Sequence, residues 1–79
     1  MGDGEWQHEV DARGLRCPEP VMMLHACLRR MAAGEVVRIV ATDPSTTRDI
    51  AKLCLHLGHT LIAEETQRED FIYLVRRKS

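Results

Sequence analysis

The segment of this chain with the clearest capacity for chemistry is a cysteine followed by a proline, a glutamate and a second proline, Cys17-Pro18-Glu19-Pro20. Helical periodicity begins at Pro18, and proline suits the first helical position because the N–H it lacks would have no partner there. Cys17 then falls at the helix N-cap, where the positive end of the helix dipole favours a thiolate over a thiol. Arg13 and Arg16 add positive charge in the preceding loop. Glu19 and the amide missing at Pro20 oppose them, so the expectation is a reactive thiol of moderate acidity. A dithiol oxidoreductase places a resolving cysteine three positions on, and here that position is Pro20. A single activated cysteine suits holding a covalent cargo and passing it to another protein, and the cargo a thiolate takes most directly is sulfur. The competing reading is a structural cysteine at a loop-helix junction.

The other candidate side chains carry less. Cys27 and Cys54 fall at the edges of apolar helical stripes and read as small core residues. His8, His25, His56 and His59 form no helical His-x-x-x-His pair, and no Cys-x-x-Cys is present, so no metal site and no cofactor are expected. Met22 and Met23 project away from the core-facing stripe one turn past Cys17, and flexible thioethers there read as a partner-docking patch or as cover for the core edge. Arg29-Arg30 and Arg76-Arg77-Lys78 read as solvated ends.

These residues must be positioned by a small fold. Residues 6 to 12 alternate, with Trp6, His8, Val10 and Ala12 on one side, the pattern of a strand with one wet face. Residues 35 to 41 are apolar on both sides except at Arg38, which suits a more central strand. Strands at 60 to 64 and 71 to 75 flank a polar hairpin loop over 66 to 70. Val21, Leu24, Leu28 and Met31 make a helical stripe between Pro18 and Ala33, stopped by Gly34. Asp43 and Pro44 open a second helix whose stripe is Ile50, Leu53 and Leu57, ending at Gly58. The order β-α-β-α-β-β predicts an α+β fold: a two-layer α/β sandwich with a four-stranded mixed sheet and both helices on one face.

At 79 residues, 44% of them hydrophobic, the chain holds one domain, residues 1 to 79, and is too short for a dinucleotide fold or a barrel. The formal charge of −1 supplies no field for phosphate backbones, so no tight direct nucleic-acid binding is expected. The acidic, polar start does not read as a secretory signal, Gly2 lacks the Ser or Thr at position 6 that myristoylation wants, and no run approaches membrane-spanning length. With an odd number of cysteines, the expected compartment is the cytoplasm.

The stretch Val10-Asp11-Ala12-Arg13-Gly14-Leu15-Arg16-Cys17-Pro18-Glu19-Pro20-Val21-Met22-Met23 resembles the TusA sulfur-carrier family. A second block, Asp43-Pro44-Ser45-Thr46-Thr47-Arg48-Asp49-Ile50, and the closing Tyr73-Leu74-Val75-Arg76-Arg77-Lys78 are also similar to it, so the resemblance covers almost the whole chain. It implies a βαβαββ sandwich in which Cys17 carries a persulfide. It also implies a cysteine desulfurase as donor and a downstream sulfur-relay protein complex as acceptor. The second block is most similar to the branch that serves 2-thiolation of tRNA wobble uridine. Relatives with the same motif serve other sulfur or selenium pathways, and Ala51-Lys52-Leu53-Cys54-Leu55-His56 departs from the tRNA branch. In this reading Pro18 and Pro20 fix the chain direction, Arg13 and Arg16 favour the anion, and Met22 and Met23 meet partners. Two rivals are a carrier feeding sulfur oxidation and a regulatory interaction domain whose cysteine is incidental.

Overall fold

The computed structural model describes residues 6–79, and Gly2 with the acidic Asp3 and Glu5 lies outside them. Strand β1 (His8–Ala12), helix α1 (Glu19–Arg30), β2 (Val36–Ala41), α2 (Thr46–Leu57), β3 (Thr60–Gln67) and β4 (Asp70–Arg76) follow in chain order. The strands lie side by side as β1-β2-β4-β3. β1 and β2 are parallel, and β4 runs antiparallel to both its neighbours. β2 and β3 therefore run the same way with β4 between them, and each helix is the crossover that two parallel strands need. The result is the expected mixed four-stranded sheet with both helices on one face.

The core lies between the sheet and the helices. Val10 and Ala12 of β1, Val37, Ile39 and Ala41 of β2, and Tyr73 and Val75 of β4 face Leu24, Cys27 and Leu28 of α1 and Ile50 and Cys54 of α2. Alternation along each strand sends Glu9, Asp11 and Arg38 to the open face, where Arg38 pairs with Glu9. The sulfurs of Cys27 and Cys54 occupy central rather than marginal places in their stripes, because Val21, Leu53 and Leu57 are only partly buried.

Several boundaries differ from the sequence pattern. Trp6 precedes β1 rather than joining it; its ring lies 5.3 Å from the Arg38 guanidinium, a cation-π contact on the open face. α1 stops at Arg30, short of Ala33, because Met31 takes extended backbone, returns its N–H to the Leu28 carbonyl and buries its side chain. β3 continues to Gln67, past the expected end at 64, since Glu65, Thr66 and Gln67 stay paired with Ile72, Phe71 and Asp70 of β4 while their polar side chains remain exposed. The hairpin turn is correspondingly short, formed by Arg68 and Glu69 with Arg68 at φ 58. At the end of α2, Gly58 takes the left-handed conformation expected of a helix stop, and its N–H returns to the Cys54 carbonyl at 2.8 Å.

Ile50 is fully buried while Leu55, on the same helix, is 81% exposed. Ile50→Ala is expected to lower unfolding free energy by about 2–5 kcal/mol, and Leu55→Ala to change it by less than about 0.5 kcal/mol, measured by urea unfolding with unchanged slope.

Candidate functional site

Because β1 and β2 are adjacent and parallel, the loops leaving their carboxyl ends meet at one edge of the sheet. The first loop runs through Arg13 to Pro18 and the second through Thr42 to Ser45. Gly14 sits at φ 80, a region open to glycine, and its N–H donates to Thr42 Oγ1 at 2.8 Å. Asp43 makes the second tie. One carboxylate oxygen accepts the Cys17 N–H at 2.7 Å and the other accepts the Ser45 N–H at 3.0 Å. Its carbonyl accepts the Thr46 hydroxyl at 2.7 Å, and the Thr46 hydroxyl lies 2.8 Å from the Tyr73 hydroxyl in the core. The backbone of Cys17 is thus connected through one aspartate to the start of α2 and to β4.

Asp43 was expected to cap α2 with Pro44 as its first helical residue. Ser45 holds the cap position instead and α2 begins at Thr46, so the Asp43 carboxylate is left to bridge the two loops. Cys17 likewise lies one residue outside its expected place. Pro18 is the N-cap of α1, following a cis Cys17-Pro18 peptide bond, and Pro20 is buried in the first turn.

The Cys17 thiol is exposed, whereas Cys27 and Cys54 are buried. Its sulfur donates to Asp49 Oδ2 at 3.1 Å, and the other oxygen of Asp49 accepts the Arg48 Nε–H at 2.9 Å. This arrangement reverses the electrostatics expected from the sequence. The hydrogen bond to Asp49, partial desolvation, and the negative charges of Asp49 and Asp43 push the thiol above its ordinary pKa. The Ser45 hydroxyl, facing the sulfur, opposes this only in part. Asp49 itself is held below the usual aspartate range by the thiol and by Arg48.

The two arginines expected to favour the anion have other partners. Arg13 forms a paired contact with Asp11, with nitrogen-oxygen distances of 3.0 and 3.1 Å, and lines the open face of the sheet. Arg16 acts on Asp43 instead. The guanidinium whose charge meets the sulfur is Arg48. Glu19 is likewise not the acidic neighbour; Asp49 and Asp43 are. Met22 and Met23 are both on the surface, Met22 at 61% exposure, one turn into α1 from the cysteine.

In the second sequence block Asp43 carried only the role of a helix cap, and Ser45, Arg48 and Asp49 carried none. Their signal is positional. Two aspartates six residues apart at a helix start become a site only when a neighbouring parallel strand delivers the cysteine loop to them.

An exposed cysteine held by two loops at one edge of a βαβαββ sandwich, with the other two free cysteines buried, defines a protein with one accessible thiol. The sequence profile described as Sulfurtransferase TusA matches residues 8–77. The sulfur carrier protein TusA of Pseudomonas syringae pv. syringae (strain B728a) is 55% identical over 71 residues, covering 90% of this chain and 84% of that protein. The sulfur carrier protein TusA of Pseudomonas entomophila (strain L48) is 51% identical over 70 residues, covering 89% of this chain and 88% of that one. The crystal structure of a SirA-like protein from Desulfitobacterium hafniense has the same fold, with a TM-score of 0.81 at 20% identity, over 92% of this chain and 100% of that one. The chain belongs to the TusA sulfurtransferase family.

The Asp43 carboxyl is held below the ordinary 3.8, first by the Ser45 N–H and then by the Cys17 N–H. A depressed folded pKa means that its stabilisation is complete above the unfolded value and is lost as pH falls below 3.8 toward the folded one. Asp11, Glu35 and Asp49 shift in the same direction, so the urea midpoint of the wild type falls through this acid window. In Asp43→Asn the fall is shallower, measured by urea unfolding at a series of acid pH values; parallel curves would remove Asp43 from the account.

Proposed function

We propose that the chain is a sulfur carrier that holds sulfane sulfur as a persulfide on Cys17. The observation that carries this reading is the contrast among the cysteines. Cys17 alone is exposed, tied by its backbone to Asp43 and by its sulfur to Asp49, in a chain 55% identical to a sulfur carrier protein. In loading, the Cys17 thiolate attacks the outer sulfur of a donor persulfide. A new sulfur-sulfur bond forms on Cys17, the donor's own sulfur-sulfur bond breaks, and the donor leaves as a thiolate. In unloading, an acceptor thiolate attacks the outer sulfur and Cys17 leaves as the thiolate. Sulfane sulfur only changes hands, and neither step calls for an oxidant or a reductant.

The donor in this reading is a cysteine desulfurase and the acceptor a downstream sulfur-relay protein complex serving 2-thiolation of tRNA wobble uridine, which rests on the likeness of the Asp43 to Ile50 block to that branch. A net charge of −1 supports delivery through another protein rather than by direct tRNA binding, and the odd number of cysteines supports a cytoplasmic setting. Pro18 and Pro20 direct the chain into α1, and Arg16 acts on the loop through Asp43. Met22 and Met23 offer partners an adaptable apolar surface beside the sulfur. The pairing of Arg13 with Asp11 leaves it a role on the loop rather than on the anion.

Incubation with a cysteine desulfurase and free cysteine is expected to add the mass of one sulfur atom on the peptide containing Cys17. Cys17→Ser abolishes the adduct, and a Cys27→Ala, Cys54→Ala double variant that remains folded keeps it. Loading that persists without Cys17 contradicts the assignment. A strain lacking the protein is expected to lose wobble 2-thiouridine, read by mass spectrometry of tRNA nucleosides; unchanged 2-thiouridine would leave the carrier chemistry standing and remove the tRNA pathway.

A further inference from the structure

Resting on Cys17 as the carrier sulfur, the geometry points to Asp49 as a positioning residue that gates it: in the unloaded protein the Asp49 carboxylate accepts the Cys17 S–H and keeps the proton on sulfur. The contact is 3.1 Å from Sγ to Oδ2, and the carboxylate is itself fixed at its other oxygen by Arg48 Nε at 2.9 Å. The Asp49 side chain is only 18% exposed while that of Arg48 is 67% exposed, so the carboxylate beside the sulfur is more sheltered than the cation that steadies it.

Asp49 is an acceptor here and not a base. Its carboxyl lies below the ordinary 3.8, so the shared proton belongs to the thiol. Removing that proton would set a thiolate against an ionised carboxylate with Asp43 also near, a like-charge arrangement that disfavours the anion. The surrounding groups are Asp43 and Ser45 from the β2–α2 loop, Arg48 and Lys52 from α2, and Arg16 from the β1–α1 loop. Of these cations, Arg48 acts directly on the sulfur, Arg16 on Asp43 and Lys52 on Asp49. The chemistry that opens such a gate is a further cation placed against Asp49, which frees the carboxylate from the thiol and lowers the cost of the thiolate.

The test is alkylation of the full chain by iodoacetamide across a pH series, with the Cys17 peptide quantified by mass spectrometry. The thiolate displaces iodide, so the rate follows the fraction of Cys17 that is ionised. The wild-type midpoint is expected above that of the same cysteine in the urea-unfolded chain. Asp49→Asn moves the midpoint down and alkylates several-fold faster at neutral pH, while Arg48→Ala, which leaves Asp49 uncompensated, moves it up and slows the reaction. Coincident profiles for Asp49→Asn and the wild type, a wild-type midpoint at or below the unfolded one, or faster reaction in Arg48→Ala overturns the gate. Should Asp49→Asn unfold, exposing Cys27 and Cys54 to the reagent, the wild-type comparison and Arg48→Ala still decide it. No donor takes part, so a failure of sulfur loading on Cys17 would overturn the carrier reading without altering this result.

Discussion

The Asp43 carboxylate is the joint on which the site depends. It accepts the amides of Cys17 and Ser45 at once, at 2.7 and 3.0 Å, and so fixes the cysteine loop to the start of α2. Among the described residues the two loops otherwise share the Gly14 to Thr42 hydrogen bond. The bridge exists because β1 and β2 are parallel neighbours whose carboxyl ends open at the same edge. It holds its direction because the Asp43 carbonyl and Thr46 hydroxyl lead to the buried Tyr73 of β4. The cysteine loop is thereby tied to the buried core, with side-chain hydrogen bonds where a larger domain would use more core.

That framework explains why the electrostatics of the cysteine differ from those of a simple helix-start thiol. The sulfur is exposed on the side of α1, yet its hydrogen bond goes to Asp49 of α2. Two carboxylates from the facing loop and helix outweigh the single guanidinium of Arg48, so access and acidity are separated: the thiol is reachable and its proton is retained. For a protein that meets successive partners, a sulfur that is quiet until a partner changes its surroundings limits side reactions with other disulfides.

The architecture was legible in the sequence because period-two and helical patterns are strong in a core this simple. Alternation around Val10 and Ala12, the apolar run at 36 to 41 and the Gly58 stop each reflect one local constraint. The boundaries that moved were those decided by tertiary contacts: burial of Met31 ended α1 early, and pairing with β4 carried polar β3 to Gln67. The cysteine was legible as a candidate site, but its neighbours were not. Arg13 and Arg16 are close in sequence and were assigned to the sulfur, whereas their partners are Asp11 and Asp43. Asp49 and Arg48, thirty or so residues away along the chain, reach it only through the sheet topology.

The central claim is that sulfur on Cys17 is in transit rather than a final product. It is tested most directly by loading the chain with radiolabelled sulfur, removing the donor, and following the label after an acceptor protein thiol is added in single turnover. The account predicts that the label leaves Cys17 for the acceptor and that the carrier returns to a free thiol able to load again. Label that stays on the chain with a competent acceptor present, or that leaves only when a reductant is added, would contradict it.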